Sequence, residues 1–280
     1  MTIREVKKIV EGRHTVDGAG VKLIRVLGYN DVKDIDPFLM LDNFSSRNPE
    51  DYIKGFPMHP HRGIETITYL IDGEVKHRDS LGHSESLYGG QVQWMNSGSG
   101  IIHEEMPQPT ENLWGLQFWL NLPAHEKMSD PEYFTISSDM MKEIPLENGH
   151  VRLISGEFEG VKAIDPRHVK ATMMDISLDA NATRTISIPQ EQNTFLYIIE
   201  GEGFFGAQET VGKLHSAVIF DKGDTLKIKA GAHGLRFVLL YGKPLNEPIY
   251  WGGPIVMNSE EDLNFAFTEL ERGTFIKHKR

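Results

Sequence analysis

The chain has 280 residues, no cysteine, a formal charge of −11 and 39% hydrophobic residues. That length allows one large or two medium domains with a sizeable core, and the missing cysteine rules out disulfides, thiolate metal sites and cysteine nucleophiles. The acidic balance argues against direct binding of nucleic acid or of an anionic membrane, both of which need clustered Lys and Arg, so small molecules or basic proteins are the expected partners.

The N-terminal stretch MTIREVKKIVEG interrupts its apolar residues with charge, so no signal peptide or membrane span is expected. Together with the absence of cysteine, this makes the cytoplasm the expected compartment. Nine short runs rich in β-branched and aromatic residues follow: VKLIRVLG (21–28), ETITYLIDG (65–73), VQWMNSG (92–98), LWGLQFWLNLP (113–123), VRLISG (151–156), NTFLYIIEG (193–201), HSAVIF (215–220), TLKIKAG (225–231) and LRFVLLYG (235–242). Most end in Gly, Asp or Asn, and their spacing predicts an all-β sandwich or barrel rather than alternating β and α units. Residues 121–150, with Pro123, Pro131 and Pro145, read as a connector between two strand-rich halves. A helix is expected at 259–273, capped by Ser259, with Glu261 and Asp262 in its first turn and Gly273 as its stop.

TYLIDGE at 68–74 matches LYIIEGE at 196–202, and each is followed by a Gly-polar strand signal and then by an apolar strand. Two copies of one β-barrel unit are therefore expected, divided as 1–135 and 136–280. GEGFFG at 201–206 fits a dinucleotide-binding pattern, but no helix signal follows it, and the repeat makes Gly201 a turn glycine equivalent to Gly73.

HPHRGIE at 59–65 and HEE at 103–105 concentrate groups that bind metals. Residues two apart on a strand share a face, so His59 and His61 point together, as do His103 and Glu105. If the two segments are neighbours in one barrel, three imidazole nitrogens and one carboxylate oxygen converge. That set suits Fe(II), Mn, Ni or Cu and leaves positions open for a Lewis-acid or O2-activating metal, whereas closed structural zinc sites favour thiolates. Glu65 is a rival ligand, in phase with both histidines but about 13 Å beyond His61 on an unbroken strand. It needs a kink, which Gly63 can supply. Glu105 needs none and is preferred, which leaves Glu65 as a supporting hydrogen-bond acceptor or salt-bridge partner. Pocket walls are expected from Ile101, Gln117 and Trp119, or from Trp94 if its strand has the opposite phase. His77 and His83, in KHRDSLGH, read as a solvated loop. The second half has no His-x-His or His-x-Glu, so metal is expected in the first barrel alone.

The runs MHPHRGIETITYLIDGEVKHRDSLGH, GGQVQWMNSGSGIIHEEMP and GLQFWLNLP closely resemble the pirin family, a branch of the cupins, as do DPFLMLDNF at 36–44 and the C-terminal GGPIVMNSEEDLNFAFTELERG. The resemblance spans nearly the whole chain. It implies two cupin (jelly-roll) β-barrels face to face with a short C-terminal helix, and one divalent metal ion in the N-terminal barrel. Fe(II) is the first expectation, with Mn, Ni, Cu or Zn as alternatives, and the ligands carry over to His59, His61, His103 and Glu105. The general cupin pattern takes its glutamate from the place of Glu65. Here seven residues rather than six separate Glu65 from Gly73, and Gly98 replaces the usual proline, both pirin-like departures. The implied activity is that of a quercetin 2,3-dioxygenase, which opens a flavonol or related enolic aromatic with O2, with Glu105 as ligand and candidate base. The competing implication is a metal-dependent regulatory protein that acts on a transcription factor or a metabolic enzyme.

Overall fold

The structure, a computed structural model, describes residues 1–278. Twelve strands precede residue 137: β1 (Val6–Glu11), β2 (Arg13–Asp17), β3 (Val21–Leu27), β4 (Phe38–Ser46), β5 (Phe56–His61), β6 (Ile64–Asp72), β7 (Glu74–Asp79), β8 (Ser84–Tyr88), β9 (Gln91–Asn96), β10 (Ile101–Pro107), β11 (Leu113–Asn121) and β12 (Glu132–Ile136). Two compact units result, and both are discontinuous: 14–25, 39–138 and 245–280 form one, while 1–13, 26–38 and 139–244 form the other. The contiguous division at 135 and 136 therefore does not describe them. β1 pairs antiparallel with Ser216–Phe220, which places the N-terminus in the later unit. The C-terminal segment is fastened into the earlier one through the buried Arg62 and Lys127. Strand pairing and buried polar anchors, rather than order along the chain, decide membership.

In the unit that carries the histidines, seven strands form one sheet in the order β12-β9-β6-β11-β4-β3-β2, and four form another in the order β5-β10-β7-β8. The β-branched and aromatic IETITYL is buried throughout because β6 pairs on both edges, with β9 and with β11. Val21, Leu23, Phe44, Leu70, Val75 and Leu113 fill one apolar core of the unit. Part of the expected connector is itself strand, since β12 pairs with β9.

β5 passes into β6 through Gly63, at φ +77°. A Cβ there would lie 2.0 Å from the Val256 carbonyl oxygen, so both backbone conformation and space demand glycine. The buried Lys127 ammonium secures the same corner by donating to the carbonyls of Gly63 and Val256, each at 2.8 Å, and to Asn121 Oδ1. Its burial pushes the ammonium pKa down to about 7. Gly63→Ala is expected to destabilise the fold by about 3 kcal/mol in denaturant unfolding; a loss below about 0.5 kcal/mol would contradict this packing.

The other unit is built on the order β1, Ser216–Phe220, Asn193–Phe205, Thr225–Gly242, Ala171–Leu178, Gly149–Ser155, Lys142–Leu146. Leu153, Met174, Ile198, Val218, Leu226 and Phe237 are among the side chains of its apolar core. Two sequence expectations are corrected there. Asn193–Phe205 runs unbroken through Gly201, which sits at φ +75° beside irregular pairing instead of in a β-turn. TLKIKAG and LRFVLLYG are likewise one strand, Thr225–Gly242. GEGFFG is followed by another strand, Thr210–Gly212, and not by the helix a dinucleotide site requires. The C-terminal helix forms at Glu260–Glu271 as its caps predict, with Ser259 Oγ accepting from the Asp262 N–H. Among the described residues, no helix is long and apolar enough to cross a membrane.

Candidate metal centre

β5 and β10 pair antiparallel, with His103 opposite His59 and Ile101 opposite His61. Burial alternates along β10 and places Ile101, His103 and Glu105 inside. The three imidazoles gather at one point: ring centroids are 4.8 Å apart for His59 and His61, 4.4 Å for His59 and His103, and 5.0 Å for His61 and His103. One nitrogen from each lies within 4.8 Å of the others.

The donor chemistry fits a cation. His59 Nδ1 is 2.9 Å from the Pro57 carbonyl oxygen and His61 Nδ1 is 3.1 Å from that of Pro254. Those acceptors select the Nδ1–H tautomer in both rings, and so leave two Nε2 lone pairs facing each other at 3.1 Å. His103 is fully buried with neither ring nitrogen hydrogen-bonded. Opposed lone pairs and an orphaned buried imidazole are unfavourable alone, and a divalent metal among the three nitrogens would engage the two Nε2 lone pairs and one nitrogen of His103.

Burial, reinforced by the neighbouring His59 and opposed by the Pro254 carbonyl, pushes the His61 pKa down to about 3. His103 is held well below its usual value by burial first and then by His61, His59 and His77. Both rings are thus neutral at neutral pH, the form that binds metal. An unfolded chain takes up these protons near pH 6.5, before the fold does, so lowering the pH from about 6.5 to about 3 favours unfolding. The urea midpoint of the metal-free protein is expected to fall across that window, and less steeply in His61→Leu. Equal slopes for the two proteins would contradict this.

Glu105 is buried on the same strand, but its carboxylate is not among the ligand atoms grouped within 4.8 Å. Its Oε1 accepts from the Thr68 hydroxyl at 3.1 Å and its Oε2 from the Gln117 amide at 2.8 Å. The pairing of β10 with β5 is irregular between His103 and Glu105. Even so, Glu105 lines the same cavity as His59 and His61.

Glu65 is separated from the histidines by strand phase. On β6, Thr68 stands opposite Gln117 and shares its hydrogen-bonded network with Glu105, so the even-numbered positions face the site. Glu65, opposite Leu120 and Asn96, points to the other face of the sheet. The Gly63 corner ends the phase that His59 and His61 would have passed on. Trp94 lies opposite Ile67 on that far face, with its ring stacked 6.1 Å from Phe134. Ile101 packs against Leu81 and Met95 instead of walling the cavity. His77 is only 2% exposed, although its segment reads as a loop. It lies on β7 opposite Glu105, donates to Asp79 at 3.0 Å, and stacks at 4.4 Å on Tyr133, as does His83 at 5.0 Å.

The cavity has a volume of 620 Å³, within the usual range for small-molecule sites. Met40, Phe56, Trp119 and Trp251 supply apolar wall, while Gln117 and Glu105 supply polar atoms. Trp119 meets His61 edge-on at 5.0 Å and lies 5.8 Å from Trp251. Thr68, Trp251 and Pro254 are site residues that sequence reasoning missed. Thr68 was legible in the alternation of ETITYL, but nothing local marks Pro254, which contacts His61, 193 residues earlier.

The family described as pirin matches residues 20–120, and the pirin C-terminal cupin domain matches residues 173–276. A pirin-like protein of Caulobacter vibrioides is 40% identical over 279 residues, covering 98% of this chain and all of that protein. The pirin of Homo sapiens is 34% identical over 271 residues, covering 95% and 92%. Among solved structures, a quercetin 2,3-dioxygenase from Acinetobacter baumannii superposes with a TM-score of 0.91 at 29% identity over 98% of both chains.

Proposed function

Because this chain belongs to the pirin family and carries its two cupin domains, we propose that it is a metal-dependent dioxygenase that opens a flavonol or related enolic aromatic with O2. The observation that carries this reading is the cluster of three histidines on an aromatic-walled cavity of 620 Å³. A relative of known structure named for this activity supports it. His59, His61 and His103 would hold the metal, with Glu105 as a fourth ligand. Fe(II) is the expected ion, and Mn, Ni, Cu or Zn suit the same donors. Bound there, the metal supplies Lewis acidity that lowers the pKa of an enolic hydroxyl and promotes reaction with O2.

The protein's own part is to bind, orient and move one proton. Each Glu105 oxygen keeps a free lone pair beside its bond to Thr68 or Gln117, so the carboxylate can accept the enol proton. Trp119, held edge-on against His61, and Trp251 offer faces against which a flat ring packs. A chain without cysteine suits a reducing cytoplasm.

Anaerobic reconstitution with Fe(II), followed by quercetin and then O2, tests the reading. Ring-opened product and carbon monoxide are expected, and Glu105→Ala should lose both turnover and metal affinity. A fully metallated protein that forms neither product would overturn the dioxygenase assignment for flavonols.

A further inference from the structure

The cavity has a second polar feature, apart from the metal centre. Arg25 on β3, Asp42 on β4 and Asp17 on β2 all line it. The Arg25 guanidinium grips Asp42 in a fork, Nε to Oδ1 at 2.9 Å and Nη2 to Oδ2 at 2.7 Å, and Nη2 also reaches Asp17 Oδ2 at 2.7 Å. The Asp42 side chain is only 6% exposed, whereas that of Arg25 is 39% exposed. A two-point fork onto a buried carboxylate fixes the guanidinium plane. Nη1 donates to no described residue, so its two N–H groups remain on a cation that two carboxylates hold still.

Such a group has a definite ligand preference. A donor from Arg25 stands beside acceptor oxygens of Asp17 and Asp42, and a hydroxyl, which both donates and accepts, can satisfy both at once. A carboxylate cannot, because one guanidinium between two carboxylates carries a net charge of −1. Resting on the reading of this cavity as a site for enolic aromatics, we propose that Arg25, positioned by Asp42 and Asp17, determines specificity: it selects flat neutral aromatics that carry ring hydroxyls apart from the reacting enol, and Asp17 disfavours ring carboxylates.

The test is a binding measurement without O2, by quenching of tryptophan fluorescence in the Fe(II)-loaded protein. Its probes are 3-hydroxyflavone, which has no further ring hydroxyl, quercetin, and a 3-hydroxyflavone bearing a ring carboxylate. Quercetin should bind about tenfold tighter than 3-hydroxyflavone, the size of one hydrogen bond to a charged group, and the carboxylated probe should bind most weakly. Arg25→Lys, which keeps the charge and loses the fork, should bring the quercetin preference close to one. Asp17→Asn, at a half-exposed side chain whose amide oxygen can still accept from the Gly18 N–H, should strengthen binding of the carboxylated probe by about tenfold and keeps the test decisive if Arg25→Lys fails to fold. Equal binding of quercetin and 3-hydroxyflavone, an unchanged preference in Arg25→Lys, or no gain in Asp17→Asn would overturn the inference. Discrimination as described with no ring-opened product on adding O2 would leave it standing and remove the dioxygenase reading instead.

Discussion

His103→Leu is expected to lower metal affinity by at least about a hundredfold while leaving the metal-free protein as stable as before, or more so. Loss of even a residue that supports a metal ligand typically weakens binding ten- to a hundredfold, and His103 supplies one of the three convergent nitrogens itself. The stability expectation runs the other way because both His103 nitrogens are buried and unbonded. Each such atom is unfavourable by about 1–3 kcal/mol, and leucine fills similar space without it. Chelator competition gives the first quantity, and calorimetry of chelator-treated protein gives the second. Unchanged metal stoichiometry would remove His103 from the site, whereas a large loss of metal-free stability would mean that the ring is held by bonds rather than waiting for a cation.

The second large effect is expected at Arg62, one position beyond His61. Arg62 is 1% exposed and spends its fork on the C-terminal segment: Nη1 to Glu269 Oε2 at 2.7 Å and Nη2 to the Phe275 carbonyl at 2.9 Å, while Nε reaches the Ser99 carbonyl at 2.8 Å. Its guanidinium carbon also lies 4.2 Å from the centre of the Phe275 ring. Arg62→Met removes three buried hydrogen bonds made by a charged donor and leaves Glu269 with Lys277 as its remaining cation, so it should destabilise by about 3–5 kcal/mol and lower the melting temperature by about 10 °C. Arg62→Lys should rescue little, since one ammonium cannot replace a planar fork. The segment that Arg62 holds also carries Pro254, whose carbonyl orients His61, so metal affinity should fall with stability. Proteolysis near residue 270 provides the local readout; an unchanged cleavage rate would show that the segment is held by something else.

These two residues show how much the sequence could say. His-x-His and His-x-Glu are period-two patterns confined to single strands, so the side-chain alternation of an extended chain was enough to point each pair inward. Burial along β10 follows that alternation residue by residue. The helix at Glu260–Glu271 was equally legible because caps are local chemistry. Strand phase failed where a glycine broke it. Extending the phase of His59 and His61 through Gly63 assigned Glu65 to the wrong face, and the Gly63 φ of +77° resets the register. His77 was misread for another reason. Inward positions around a polar cavity need not be apolar, so VKHRD on β7 looks like a loop while His77 and Asp79 are buried.

By itself, then, the sequence determined the strands, the two histidine segments and the family, because each is written in residues a few positions apart. Only the tertiary structure decided that three imidazoles meet, that Thr68 and Gln117 hold Glu105, and that the Pro254 carbonyl sets the His61 tautomer. Those contacts join strands and loops that are distant along the chain, and no local pattern encodes which backbone oxygen comes to rest beside a given ring.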